Sequence, residues 1–324
     1  MRAVRYHEHG GPSVLTVDEV ERPDPGHGEV RIDVRAVGVN PVDTYLREGS
    51  YEPPVRPMIP GSDVAGLVSA VGPGVDRLAA GDRVFATGLG RDRQGTYAES
   101  VLAPASSVAA LPGGITFREG AAVALVGLTA WRALIDHARL EPAERCLVHG
   151  GNGGVGHVAV QLAAAAGADV TATARPPYHG ALSDLGASDV LDYRQAQDAL
   201  ADGIRAAGRP DVVLNHRLDE YLSLDAAVAA PDATVVGIGN QAAAATLADI
   251  PGARARELAV QFMVMFNAPD VAGVLARLAD LMRDGDLAPE VARTYDLAEA
   301  ATAQRAVLEE SFLGKVVLTV GGAD

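Results

Sequence analysis

The stretch that most constrains this chain is HGGNGGVGHVAVQLAAAAGADVTATARPP, residues 149–177. The apolar run CLVHG leads into five glycines, and a helix of small residues follows. Val155, Val158, Ala159, Leu162 and Ala166 fall on one face of that helix. DVTATA then reads as a second strand, so the stretch is a strand, a glycine turn, a helix and a strand. Gly151, Gly153 and Gly156 fit G-x-G-x-x-G. In such a unit the first glycine permits a tight turn and the second lets backbone approach a pyrophosphate. The third lets helix and strand pack closely, and the free amides of the helix's first turn meet the phosphates. The stretch therefore predicts a dinucleotide site.

The residue after the second strand separates the two nicotinamide carriers. An NAD site places Asp or Glu there, on the ribose 2′-hydroxyl. This chain has Arg175, while Asp169 lies at the opposite end of the strand. A guanidinium binds a 2′-phosphate through charge-assisted bonds where a carboxylate would repel it. Arg175 thus argues for NADPH over NADH.

Around this unit the pattern divides the chain. Apolar runs such as VRIDVRAVGVN, VAGLVSAVG and DRVFAT alternate with turn signals in the first third. From about Ala121, alanine-rich helical stretches separate the short strands CLVHG, DVTATA, DVLDY, DVVLN and TVVGIG, which predicts a parallel sheet with crossover helices. VARTYDL, AEAATAQRAVLEES and GKVVLTV then read strand, helix, strand. The expectation is a β-rich domain over residues 1–121 and 286–324, with an α/β domain over 122–285 inserted into it. The apolar run at residues 261–266, QFMVMF, reads as a strand.

Charge and cysteine narrow the function classes. Net charge is −15, and of 27 basic residues only Lys315 is a lysine. No basic cluster exceeds a pair of arginines, which disfavours nucleic acid and anionic membranes as partners. An acidic surface suited to a high-salt cytoplasm is one reading of the excess. The first residues, MRAVRYHEHG, lack the apolar run of a secretory signal, and no transmembrane stretch is evident, so a cytoplasmic protein is expected. The single cysteine, Cys146, lies in an apolar run and reads as a core residue. His7 and His9 read as solvated.

The chain resembles the zinc-independent NADPH:quinone oxidoreductases, the ζ-crystallin-like branch of the medium-chain dehydrogenase/reductase superfamily. The resemblance runs essentially end to end, through GVNPVDTYLREGSY, PGSDVAGLVSAVG, GDRVFAT, GTYAE, GAAVALVGLTAWRAL, LVHGGNGGVG and GKVVLTV. It implies an α/β chain, a Rossmann doubly wound parallel sheet inserted into a β-rich GroES-like domain, with NADPH in a cleft between the two. Carried over by position, the pyrophosphate contacts fall on Asn152, Gly153, Gly154 and Val155, and the adenosine-phosphate contacts on Ala174, Arg175 and Tyr193. The nicotinamide side falls on Thr129, Ile238, Gly239, Asn240, Met265 and Phe266. Tyr45 takes the position of a tyrosine beside cofactor and substrate. Residues 261–266 fall where the family pairs an edge strand across a twofold, so a homodimer is expected.

Zinc relatives carry Cys where this chain has Asn40, and His-Glu where it has Ser62-Asp63. Their structural zinc lobe needs four cysteines, and ATGLGRDRQG has none, so no metal is expected. Two segments depart from the family. Tyr178 of RPPYHG stands roughly where a lysine is common, and NHRLDE replaces an acid-led turn, so contacts near Asn215 are not carried over.

Without a Lewis acid, the favoured substrate is one that already accepts hydride readily, a quinone or conjugated enone. Asn40, Tyr45 and Tyr51 are candidates to hydrogen-bond the developing oxyanion, with Asp43 orienting Tyr45. The alternatives are an enoyl-thioester (acryloyl-CoA type) reductase, or an NADPH-binding crystallin-like protein without turnover.

Overall fold

The computed structural model describes residues 1–321, so the last three residues of the expected C-terminal return lie outside the described residues. The chain forms two compact units, residues 1–128 with 268–324, and residues 129–267. Elements are numbered along the chain.

In the first unit β1 (Arg2–Tyr6) pairs antiparallel with β2 (Leu15–Glu19). A second sheet joins seven strands: β3 (Glu29–Val39), β4 (Val64–Val71), β5 (Arg83–Ala86), β6 (Ser100–Pro104), β7 (Val108–Ala110), β14 (Val291–Asp296) and β15 (Lys315–Thr319). Their order is β14-β15-β3-β4-β5-β7, with β6 paired to β3. β3 organises this unit. Its first half alternates buried and less buried residues, as the period-2 pattern of VRIDVRA requires. An irregularity in its pairing with β4 between Val34 and Ala36 ends the alternation, and Ala36–Val39 are all buried. The strand thus delivers Asn40 to the interior. Val30, Ile32, Val34, Val37 and Val39 form the core with Val64, Val84, Val101 and Val316.

The helices of this unit are α1 (Pro41–Glu48), most of α2 (Phe117–Trp131), α8 (Val271–Asp284) and α9 (Ala300–Glu309). α2 starts on a capping box, with Glu119 accepting from the Thr116 amide at 2.7 Å and Thr116 Oγ1 from the Glu119 amide at 3.2 Å. The return to this unit comes at Ala268, not 286 as expected. The cause is α8, which packs against β7 and β5 of the first sheet. Its amphipathic repeat shows one apolar face without saying which sheet covers it.

The second unit carries β8 (Arg145–Val148), β9 (Asp169–Thr173), β10 (Asp189–Leu191), β11 (Val212–Asn215), β12 (Thr234–Gly237) and β13 (Ala259–Phe262). All pair in parallel in the order β10-β9-β8-β11-β12-β13, the doubly wound Rossmann order. The connections hold α3 (Gly154–Ala165), α4 (His179–Asp184), α5 (Gln197–Ala207), α6 (Leu218–Val228) and α7 (Ile250–Ala255). Leu147, Val213 and Val235 pack with Leu200 and Ile204 of α5 and with Leu218, Leu222 and Leu224 of α6. Cys146 is buried, and burial pushes its thiol up to about 12, as a core residue requires. The apolar run at residues 261–266 is strand only as far as Phe262, after which Met265–Asn267 form a tight helical turn.

No described helix is long and apolar enough to cross a membrane.

Candidate active site

The carboxyl ends of the six parallel strands form one edge of the second unit, and the residues carried over for the cofactor lie along it. Asn152, Gly153, Gly154 and Val155 follow β8; Ala174 and Arg175 follow β9; Tyr193 follows β10. Ile238, Gly239 and Asn240 follow β12, and Met265 and Phe266 stand in the turn after β13. Thr129 is buried in the last turn of α2, at the start of this unit. The sheet switches winding direction between β8 and β11, where open parallel sheets bind ligands.

The turn after β8 is shaped by glycines. Gly150 has φ +68°, a left-handed conformation that leaves little room for a side chain, so the tight turn falls one residue before the Gly151 of the sequence pattern. A Cβ on Gly156 would collide with the Gly150 carbonyl and the Gly151 Cα, so the third glycine lets α3 pack closely against the turn after β8. α3 begins on Gly153 with no side-chain cap, so its first turn directs backbone amides outward, the arrangement that receives an anion.

Arg175 is exposed and donates from Nε to the Tyr193 hydroxyl at 3.0 Å, joining the ends of β9 and β10. No ion pair engages Arg175 among the described residues. The neighbouring acid, Asp192, is taken by Arg194, whose hydrogen bonds hold its carboxyl down to about 2. A guanidinium and a phenol thus stand together beyond β9, with the nearby carboxylate spent elsewhere.

Beneath the glycine turn lies a network that sequence reading did not find. Thr173 Oγ1 accepts from the Gly150 amide at 3.0 Å and lies 3.4 Å from His149 Nδ1. His149 Nε2 meets Asp225 Oδ1 of α6 at 2.7 Å, and Asn215 Nδ2 donates to Asp225 Oδ2 at 2.6 Å. Tyr221 stacks on the His149 ring at 4.6 Å. The first amide of the turn is therefore held through a chain of side chains to a buried carboxylate. Asn215 also accepts from the Arg217 amide at 2.8 Å, which shapes the NHRLDE loop.

The first unit holds a buried polar cluster of its own. β15 runs antiparallel to β3 with Val316 opposite Val39, which sets Lys315 beside Asn40. Lys315 Nζ donates to the Val39 carbonyl at 2.7 Å and to Asn40 Oδ1, and lies 3.7 Å from Asp63 Oδ2. Asn40 Nδ2 donates to Asp63 Oδ2 at 2.9 Å, and the Asn40 amide to Asp43 Oδ2 at 2.9 Å. Thr87 donates to Asp63 Oδ1 at 2.7 Å, Ser62 to Asp43 Oδ1 at 3.0 Å, and Tyr97 to Asp43 Oδ2 at 3.3 Å. A Cβ on Gly38 would strike the Asp63 carboxylate and the Ala121 carbonyl, so glycine is required there. Burial pushes the Asp43 carboxyl up to about 6, with Asp63 adding to the shift and Lys315 opposing it. Burial likewise raises Asp63 and lowers Lys315, each held back by the other.

These contacts revise two expectations. Asn40 is 1 % exposed and its amide nitrogen bonds Asp63, with Asp43 Oδ2 and the Gly38 carbonyl each 3.4 Å away. It has no hydrogen left for a substrate oxygen, because the cluster consumes its donors. Asp43 takes its phenol hydrogen bond from Tyr97, a residue sequence reading passed over. Tyr45 and Tyr51 are the exposed members of the expected trio, at 42 % and 54 %, and the Arg91 guanidinium lies 4.5 Å over the Tyr51 ring. His7 and His9 are engaged by protein, His7 with Asp18 and His9 with the Arg47 carbonyl and Glu52. Among the described residues, no group of three or more His, Cys, Asp or Glu side chains gathers to hold a metal ion.

A Rossmann sheet inserted into a β-rich domain, with a glycine turn at its switch point, defines a medium-chain dehydrogenase/reductase. Residues 26–113 match the alcohol dehydrogenase GroES-like domain, and residues 185–318 the family described as zinc-binding dehydrogenase. The human quinone oxidoreductase is 34% identical, over 98% of this chain and 97% of its own. Among solved structures, an NAD-dependent alcohol dehydrogenase superposes with a TM-score of 0.91 at 30% identity, covering 99% of this chain and 100% of the other. The Escherichia coli quinone oxidoreductase complexed with NADPH superposes at 0.88 with 28% identity, covering 99% and 100%. The chain belongs to the quinone oxidoreductase family of this superfamily.

Proposed function

We propose that this protein is an NADPH-dependent, metal-independent reductase of quinones or conjugated enones. The observation that carries the reading is the Arg175–Tyr193 pair beyond β9, a cationic fork on the same sheet edge as an uncapped helix N-terminus. That arrangement suits a 2′-phosphate and a pyrophosphate together. The NADPH complex of the E. coli relative supports it.

Bound NADPH supplies a hydride. The chain's own part is to hold and orient. Amides at the start of α3 and the Gly150 turn take the pyrophosphate, Arg175 and Tyr193 the adenosine phosphate. Thr129, the residues after β12 and the Met265–Phe266 turn bound the nicotinamide. Tyr45 and Tyr51 hydrogen-bond the acceptor oxygen as negative charge develops on it. A zinc ion does not fit the donor set at Asn40, Ser62 and Asp63. Asp63 already faces an ammonium and two hydrogen-bond donors, and a dication beside Lys315 would be repelled. A substrate that accepts hydride without a Lewis acid follows from this.

A homodimer and a cytoplasmic setting belong to the same reading. β13 is the outer strand of its sheet and exposes Phe262 at 70 %. The decisive experiment follows NADPH and NADH oxidation with a panel of quinones, enones and enoyl-thioesters. Quinone or enone turnover with NADPH is expected. Turnover of enoyl-thioesters alone, or tight NADPH binding without turnover, sinks the proposal.

A further inference from the structure

The one lysine of the chain is buried. Among 27 lysines and arginines the one lysine places its side-chain ammonium at 3 % exposure, among polar groups of the first unit. Three acceptors surround Nζ: the Val39 carbonyl, Asn40 Oδ1 and, at 3.7 Å, Asp63 Oδ2. A compact head with three donors suits that arrangement, whereas a planar guanidinium fork does not.

What the ammonium secures is the start of α1. Asn40 precedes that helix, and its amide bonds the Asp43 carboxylate one turn on. Asn40 Oδ1 is taken by Lys315 and its Nδ2 by Asp63, so the residue is clamped between β15 and the segment before β4. The other end of α1 is tied by Arg47, fully buried, which donates from Nε to Gln304 of α9 at 2.8 Å and from Nη1 to the Gly10 carbonyl. Asp43, Thr44 and Leu46 are buried between these anchors, and Tyr45 is exposed.

We propose that Lys315 is a positioning residue of the reductase, fixing Asn40 and the first turn of α1 so that Tyr45 is held for the acceptor. The inference rests on the reductase reading. It makes the ammonium an internal cation for Asp63, with a role in turnover beyond neutralising a buried carboxylate. The charged and titratable groups facing it are Asp43 from α1, Asp63 from the turn before β4 and Tyr97 from the segment before β6, with the hydroxyls of Ser62 and Thr87.

Two experiments test it. Lysine-selective ¹⁵N labelling yields one side-chain ammonium signal from this chain. That signal is expected to exchange slowly with solvent and to shift with a midpoint near pH 6 as Asp43 ionises, a shift that Asp43→Asn abolishes. Fast exchange and no pH response overturn the inference, whatever the enzyme reduces. The second compares kinetics of Lys315→Met, Lys315→Arg and the charge-balanced pair Asp63→Asn with Lys315→Met. The pair removes one positive and one negative charge, keeps the net charge of the cluster, and so remains testable where Lys315→Met alone does not fold. It is expected to bind NADPH within about twofold of wild type while kcat falls about tenfold or more, as displaced substrate-positioning groups do. A pair with wild-type kcat overturns the inference. Loss of quinone and enone turnover in the wild type fails the reductase reading instead, and leaves the ammonium signal to decide the fate of Lys315's place in the cluster.

Discussion

Arg175 gains its meaning from what stands next to it. Its partner is a neutral phenol, and the adjacent Asp192 is bound to Arg194, so the guanidinium is available to an anion. A hydrogen bond to a charged group contributes about 1.5–3 kcal/mol, and each 1.4 kcal/mol is about tenfold in affinity. Arg175→Ala is therefore expected to weaken NADPH about 10- to 100-fold in a fluorescence titration while leaving NADH nearly unchanged. Equal loss for both carriers would remove the 2′-phosphate from the account. Thr173 acts from below. Thr173→Val keeps the shape but leaves the Gly150 amide without its acceptor, at a cost of about 1–3 kcal/mol. The expected result is a several-fold rise in KM for NADPH with KM for the acceptor unchanged; a rise in both would mean general loosening. The position of Arg175 beyond β9 was legible in the sequence because it follows the second strand of a recognisable unit. Lys315 and Asp225 were not, since their partners lie 275 and 76 residues away and only tertiary packing brings them together.

At the scale of elements, α1 shows how a short helix is held by charge. Its Asp43 has a carboxyl raised from 3.8 to about 6 by burial, so the folded state binds its proton more tightly than the unfolded one. Stability from this group is complete below pH 3.8 and is lost as pH rises through about 6. The wild type is expected to lose unfolding free energy between pH 4 and 7 that Asp43→Asn does not lose, in urea titrations across that range. Parallel curves for the two would mean the carboxyl is not raised. β13 makes the other element-scale prediction. An outer strand with Phe262 exposed invites pairing with a second copy, so Phe262→Asp is expected to shift the protein toward monomer in sedimentation experiments. An unchanged oligomeric state would remove β13 from the homodimer reading. Most strand, turn and helix patterns were readable because alternation and glycine spacing are local, although the apolar run at residues 261–266 is strand only to Phe262. The placing of α8 was not, since an amphipathic repeat carries no address.

At the scale of the whole molecule, the net charge of −15 opposes a cofactor that is itself an anion. On the proposed reading the local cradle of Arg175 and the amides of α3 is favourable, but the summed field of the chain acts at longer range. At about 0.01 M salt the Debye length is roughly 30 Å, so the repulsion reaches an approaching NADPH well before the cradle does. At about 0.15 M it shrinks to roughly 8 Å, and only the nearest charges remain. Association of NADPH, followed by stopped-flow fluorescence, is therefore expected to quicken as salt rises over this range. Dissociation should change less, because a close contact between guanidinium and phosphate is screened far less than charges spread over the surface. A protein whose cradle dominated the field would show the reverse, fastest capture at the lowest salt. That outcome would mean the acidic residues lie far from the path of entry, and would remove the link between the composition of this chain and the rate at which it takes up its cofactor.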